Sequence, residues 1–291
     1  MTKSKIPLAI VYDFDGTLSP GNMQEKDFLP KLNIKKDDFW KEVTKTCKDH
    51  KADNILIYML LMLEKAEQGK ISIKRNDFKN FGKNITFFPG IIPDPIKVGT
   101  PEIGWFDRIN ECGEKVGVNV KHFIVSSGIK EMIEGTRISS KFTGIFASSF
   151  YYDHNKLAKW PAVVVNFTSK TQFIFRINKK SYDIADDKSI NKFIPDNQRP
   201  IPFKNIVYIG DGETDIPCFK LVKEKGGCSI VVYNETKKNS RKLPKKLLEE
   251  GRVSFIAPAD YSSGKKLETI ISALIDKISF DDHYMKIPRD K

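Results

Sequence analysis

The stretch that most restricts this chain is IPLAIVYDFDGTLSP, residues 6–20. An apolar run, Ile6–Tyr12, ends in two acids one residue apart, Asp13 and Asp15, and Gly16 follows at once. Such a run reads as a buried strand. Two carboxylates about 4 Å apart repel by roughly 4 kcal/mol at an effective dielectric of 20. A pair of acids at the mouth of a buried strand therefore calls for a retained proton or a cation. The pattern recurs at IVYIGDGETD, where Asp211 and Asp215 follow a second aliphatic run.

Further short aliphatic runs lie at 122–125, 144–147, 206–209, 229–233 and 253–257, with helix-like segments between them. This alternation predicts an α/β fold, a doubly wound, Rossmann-like parallel sheet covered on both faces. About a hundred residues separate the first run from HFIVSSG, far more than one crossover needs. DDFWKEVTKTCKDH and ADNILIYMLLMLEKAEQGK within that interval have helical patterns, the second ending at Gly69 as a C-cap. The expected organisation is a core formed by 1–20 and 89–291, with a helical cap inserted at 21–88. FFPG at 87–90 marks the return, and IGWFDRINECGEKVG is the helix before the second strand.

Ligands of open parallel sheets bind at the carboxyl ends of the strands. That rule gathers Asp13 and Asp15, then Ser126, Ser127 and Gly128, then Asp211 and Asp215 on one rim. A lysine from NFTSKTQFIFRINKK, either Lys170 or Lys179, joins them. An all-oxygen set without His or Cys suits Mg²⁺, which keeps positions for water and phosphate.

DFDGT, a strand ending in Ser, a lysine and then GDGETD, in that order, resemble the four motifs of the haloacid dehalogenase-like hydrolase superfamily. The layout looks most like its phosphoserine-phosphatase-type members, which carry a helical cap after the first motif. The resemblance spans about residues 6–260. It implies that Asp13 is the nucleophile forming a phosphoaspartate, and that Asp15 is general acid and then general base. It also implies Mg²⁺ held by Asp13, the backbone carbonyl of Asp15 and Asp211, with Asp215 supporting that shell. Ser126 and the N–H groups after it would hold phosphoryl oxygens, with Ser126 preferred over Ser127, and a lysine would neutralise the phosphoaspartate. SKTQFIFRIN resembles the family's lysine at the head of a helix, after a hairpin in SFYYDHNKLAKWPAVVVN, so Lys170 leads over Lys179. An insertion around DIADDKSINKFIPDNQRP lengthens the path from Lys170 to Asp211. Dehalogenases of the superfamily lack an acid at the place of Asp15, and its ATPases carry Thr there. An Asp implies an alkoxide leaving group, hence a phosphatase or phosphotransferase, with phosphatase preferred; a helical cap closing over the site implies a small soluble phosphomonoester. Gln24 and Glu25, just past the first motif, are candidates to reach the substrate's polar head.

Composition excludes several alternatives. Four cysteines without a CxxC pair and four histidines argue against a zinc cage or disulfide framework and fit the cytoplasm. The apolar run before Asp13 is too short for a signal peptide, and ILIYMLLML at 55–63 is about half a membrane span, so no membrane association is expected. The net charge of +12 favours anionic ligands. Its densest run, KKNSRKLPKKLL at 237–248, has helical spacing after its proline and no interleaved aromatics, and reads as a solvated helix face, so nucleic acid is not the expected partner. Two alternatives remain: a phosphotransferase with the same intermediate, and a catalytically silent protein of this fold that binds nucleic acid. The sequence carries no signal of oligomeric state.

Overall fold

A computed structural model describes residues 5–93 and 103–287. The first four residues of the chain start, and part of the expected return to the core after residue 89, lie outside them. Seven strands form one sheet: β1 (Ile6–Tyr12), β2 (Val118–Ile129), β3 (Gly144–Tyr152), β4 (Ala158–Val163), β5 (Ile206–Gly210), β6 (Cys228–Tyr233) and β7 (Phe255–Pro258). Their order is β4-β3-β2-β1-β5-β6-β7. Every neighbouring pair is parallel except β3 and β4, the hairpin that closes one edge. The chain builds outward from β1 to β4, then returns to β1's other side with β5. That reversal opens a crevice at the carboxyl ends of β1 and β5.

Strand periodicity explains the layers. Leu8, Ile10 and Tyr12 of β1 enter one hydrophobic cluster, and Ala9 and Val11 enter another on the opposite face. Between β1 and β2 lie α1 (Phe28–Lys31), α2 (Lys36–His50), α3 (Asn54–Gln68), α4 (Arg75–Gly82) and α5 (Trp105–Lys115). α6 (Lys130–Glu134) follows β2, and α7 (Lys170–Lys179) and α8 (Asp187–Asn191) precede β5. α9 (Ile216–Glu224), α10 (Lys242–Glu249) and α11 (Lys266–Met285) complete the set. The first cluster runs without a break from β1 into residues of α1 to α4, such as Phe28, Phe39, Met59 and Phe78. The helical excursion thus shares its core with one face of the sheet.

Three local expectations change. β2 does not end at Val125; it continues to Ile129 through a register shift between Ser126 and Ile129. A bulge of this kind re-aims side chains, here at the sheet's functional edge. Gly69 does cap α3, but its φ of −80° is ordinary, and the left-handed residue is Lys70 at 52°. A Cβ there would lie 2.2 Å from Leu32 Cδ2, so a larger residue would displace that side chain. α10 starts before Pro244 rather than after it, burying Pro244 and Leu247 while its lysines face solvent.

A polar chain crosses the first core. Trp105 Nε1–H donates to the Tyr12 hydroxyl at 2.9 Å, and Tyr12 lies 3.0 Å from His122 Nδ1. Indole only donates, so the Tyr12 hydrogen goes to Nδ1, and His122 carries its own on Nε2, 3.2 Å from Asn110 Oδ1. Burial pushes the His122 pKa down to about 3.

Candidate active site

Lys170 is the first residue of α7 and is fully buried. Its ammonium lies 2.7 Å from Asp215 Oδ1 and 3.1 Å from Asp13 Oδ1. The turn that presents it is set by Asn166, whose Oδ1 accepts from the N–H groups of Thr168 and Ser169. Lys179 sits at the other end of α7 and donates to the carbonyls of Ile190 and Lys192. It pins the inserted segment, as does Arg176, which donates to the carbonyls of Asp183, Ile184 and Asp186.

Asp13 follows β1 and donates its N–H to Ile209 O, so the β1–β5 pairing reaches the first acid. Gly16 has φ +79°, and a Cβ on it would lie 2.0 Å from Asp211 Oδ2. The glycine of DFDGT therefore turns the chain and admits the carboxylate of Asp211 from the fourth motif. Carboxylate oxygens of Asp13, Asp211 and Asp215 lie within 4.8 Å of one another. The donors are all hard oxygens, which fits a small divalent cation.

Asp215 differs from its companions. Its Oδ1 accepts from Lys170 and from the Tyr208 hydroxyl at 2.6 Å, and its Oδ2 accepts from the N–H groups of Asp211 and Gly212. Four donors fill the lone pairs of a carboxylate. It orients the lysine and the 211–212 backbone from behind, and it does not line the cavity.

Both N-terminal acids are raised above the ordinary carboxylate range. Burial raises the Asp13 pKa to about 6, with the Lys170 charge pulling it back. Burial, then the charge of Asp13, holds Asp15 well above the usual carboxylate range. Asp15 Oδ1 accepts from the Met23 N–H at 2.9 Å. Asp211 is also pushed well up, by burial and then by Asp215. Burial works against the charge on Lys170, but Asp13 and Asp215 outweigh it and raise its pKa. Both acids of the pair are thus pushed up chiefly by burial, with the Lys170 charge opposing the rise at Asp13.

A cavity of about 630 Å³ opens above these groups, lined by Asp13, Asp15, Ser126, Ser127, Gly128, Lys170 and Asp211. Ser126 Oγ accepts from the Gly128 N–H at 3.1 Å, which leaves its own hydrogen for another acceptor. The carbonyl of Ser127 accepts from Tyr58 of α3 at 2.6 Å, and Asp53, the N-cap of α3, accepts from Asn166 at 3.0 Å. These two bonds tie the helical excursion to the rim. Gln24 lines the cavity; Glu25 does not, and instead accepts from Trp40 Nε1 and Asn22 Nδ2.

Sequence reasoning passed over Tyr58, Tyr208 and Trp40. A signal for the tyrosines was present: a Tyr inside an aliphatic run needs a partner for its hydroxyl once buried. Each finds it at this rim.

The model of the haloacid dehalogenase-like hydrolases matches residues 10–220. The chain belongs to this family. A relative 32% identical over 287 residues, covering 89% of this chain and 93% of its own, is an uncharacterized protein of Borreliella burgdorferi. Two solved structures share the fold across 92% of this chain and 99% of theirs. One is a phospho-aspartyl intermediate analogue of phosphoserine phosphatase, 18% identical with a TM-score of 0.54. The other is a substrate-bound phosphoserine phosphatase complex, 16% identical with a TM-score of 0.52. A family hydrolase from Salmonella enterica serovar Typhi, 15% identical with a TM-score of 0.52, matches 83% of this chain, which spans 66% of that one. No helix among the described residues is long and apolar enough to cross a membrane.

Proposed function

We propose that this hydrolase is a Mg²⁺-dependent phosphatase that cleaves a small phosphomonoester through a phosphoaspartate on Asp13. The observation that carries the reading is the buried Lys170 bridging Asp13 and Asp215, beneath a cavity that Asp15, Ser126 and Asp211 also line.

Asp13, ionised near neutral pH and held by Lys170, attacks phosphorus and divides one difficult displacement into two. Asp15 carries the proton that the departing alkoxide needs, then takes one from the water that opens the phosphoaspartate. Lys170 and the Ser126 hydroxyl supply positive charge and a donor to the phosphoryl oxygens, helped by the Ser127 N–H. Gly128 orients Ser126 rather than the phosphate, since its N–H is already engaged. The carboxylates of Asp13 and Asp211 and the backbone carbonyl of Asp15 would hold Mg²⁺, with Asp215 supporting them. The ion supplies charge neutralisation between the acids and the phosphate.

The alkoxide-supporting acid separates this reading from dehalogenation. Residues 21–88 act as the cap, and the cavity volume suits a small ligand. The four cysteines form no disulfide, which supports a reducing compartment such as the cytoplasm. The deciding experiment is hydrolysis of para-nitrophenyl phosphate with Mg²⁺ and with EDTA. Turnover that EDTA and Asp13→Asn both abolish is expected; an active Asp13→Asn protein overturns the mechanism.

A further inference from the structure

The part of the cavity wall that comes from the helical excursion carries a different chemistry from the floor. Gln24 is only 2% exposed and lines the cavity, yet its Oε1 accepts no hydrogen bond among the described residues. Ser127 Oγ, on the same cavity, is also buried and unpartnered. A buried polar atom left unpaired costs about 1–3 kcal/mol. Folded proteins keep few such atoms, and a site where ligand completes the bond is one reason to keep them.

No carboxylate from residues 21–88 lines this wall. The acid closest to Gln24 in sequence, Glu25, is turned away and its Oε1 is taken by Trp40 and Asn22, each at 2.8 Å. Trp40, Thr44 and Lys48 follow one another at four-residue steps on α2 and form a ridge along the cavity. Lys48 is exposed and makes no ion pair among the described residues. The wall therefore offers a neutral acceptor and a hydroxyl near the phosphoryl floor, and one cation on its outer ridge.

We propose that Gln24, Ser127 and Lys48 select a leaving alcohol that bears an uncharged hydroxyl close to the ester and an anionic group at its far end. A substrate ammonium beside Gln24 would find no carboxylate on this wall to pair with; the carboxylates of the cavity belong to the floor and to Glu213. A substrate hydroxyl satisfies the Gln24 oxygen, and Lys48 complements a distal carboxylate or second phosphate. This assignment rests on the phosphatase reading and adds the substrate class to it: hydroxylated, doubly anionic phosphomonoesters in preference to aminoalkyl ones.

The test is kcat/KM of the full chain with Mg²⁺ on five probes: para-nitrophenyl phosphate, glycerol 3-phosphate, 3-phosphoglycerate, fructose 1,6-bisphosphate and O-phosphoserine. The wild-type protein should prefer 3-phosphoglycerate over O-phosphoserine by at least about tenfold, one missing charge-matched bond. Gln24→Glu keeps the shape and adds the missing carboxylate; it should shift the O-phosphoserine to 3-phosphoglycerate ratio by at least about tenfold toward the amine. Lys48→Ala should raise KM for 3-phosphoglycerate more than for glycerol 3-phosphate, and fructose 1,6-bisphosphate tells whether the far anion is phosphate or carboxylate. An unchanged probe ratio in Gln24→Glu overturns the assignment, as does a wild-type preference for O-phosphoserine. Failure of the wild-type protein on every probe, para-nitrophenyl phosphate included, instead defeats the phosphatase reading and this inference with it.

Discussion

The floor and the wall of the cavity handle buried polar groups in opposite ways. On the floor, Asp215 accepts four hydrogen bonds and Lys170 bridges two carboxylates, so each group's partner is another part of the protein. On the wall, Gln24 Oε1 and Ser127 Oγ have no partner among the described residues. A reacting phosphoryl group demands charges already in place, and mutual saturation holds them there. Discrimination among alcohols needs groups left open for the ligand to complete.

The largest expected effect lies on the floor. Asp13→Asn should lower kcat on para-nitrophenyl phosphate by at least about a thousandfold, as removal of a nucleophile does. A residual rate near that of the wild type would show that the floor is not the reacting surface. Lys170→Met should come next, as a loss of stability by about 3–5 kcal/mol in urea unfolding, because two buried carboxylates lose their cation. A change below about 1 kcal/mol would mean that water reaches those acids and that the floor is less saturated than its contacts imply.

Mg²⁺ sharpens the contrast further. At a hundred times its Kd it should add about 2.7 kcal/mol of stability, read as a rise in Tm, and Asp211→Asn should remove most of that response. The wall variant Gln24→Leu should behave in the reverse sense to Lys170→Met. Removing an unsatisfied acceptor should leave stability unchanged or raise it by up to about 1 kcal/mol.

His122 supplies a pH control in which every ring nitrogen is satisfied. Its pKa of about 3 in the fold lies below the unfolded value of 6.5, so the unfolded chain binds more protons between those limits. Stability contributed by neutral His122 is complete above pH 6.5 and falls as pH drops toward 3, by up to about 1.4 kcal/mol per unit. Asp13 acts with the opposite sign: because burial raises its pKa to about 6, acidification toward pH 4 relieves the cost of burying its charge. Urea unfolding of wild type and His122→Gln from pH 4 to 7 isolates the first effect, since both proteins keep the floor. Equal slopes would refute it.

Much of the floor was legible in the chain. β1 has the bounds its apolar run suggests, and the acids after β1 and β5 meet because parallel strands place their carboxyl ends side by side. Lys170 was preferred over Lys179 through the resemblance rather than through spacing, since spacing cannot tell which end of α7 turns inward. The bulge in β2 left no mark in Val125-Ser126-Ser127-Gly128, because register depends on the partner strand as much as on the sequence. Tyr208 and Tyr58 hid inside aliphatic runs, where their side chains count as apolar until the fold supplies an oxygen for each hydroxyl.

The sequence by itself determined the sheet class, the chain order of the strands that carry acids, and the all-oxygen character of the acidic cluster on the floor. Those follow from periodicity and from the cost of placing like charges together, which are local in the chain. Tertiary structure alone decided that Asp215 stands behind Lys170, that Glu25 turns away from the cavity and that Gln24 remains unpaired within it. Each of these depends on groups dozens of residues apart meeting at hydrogen-bond distance, a relation that only packing of the helices onto the sheet creates.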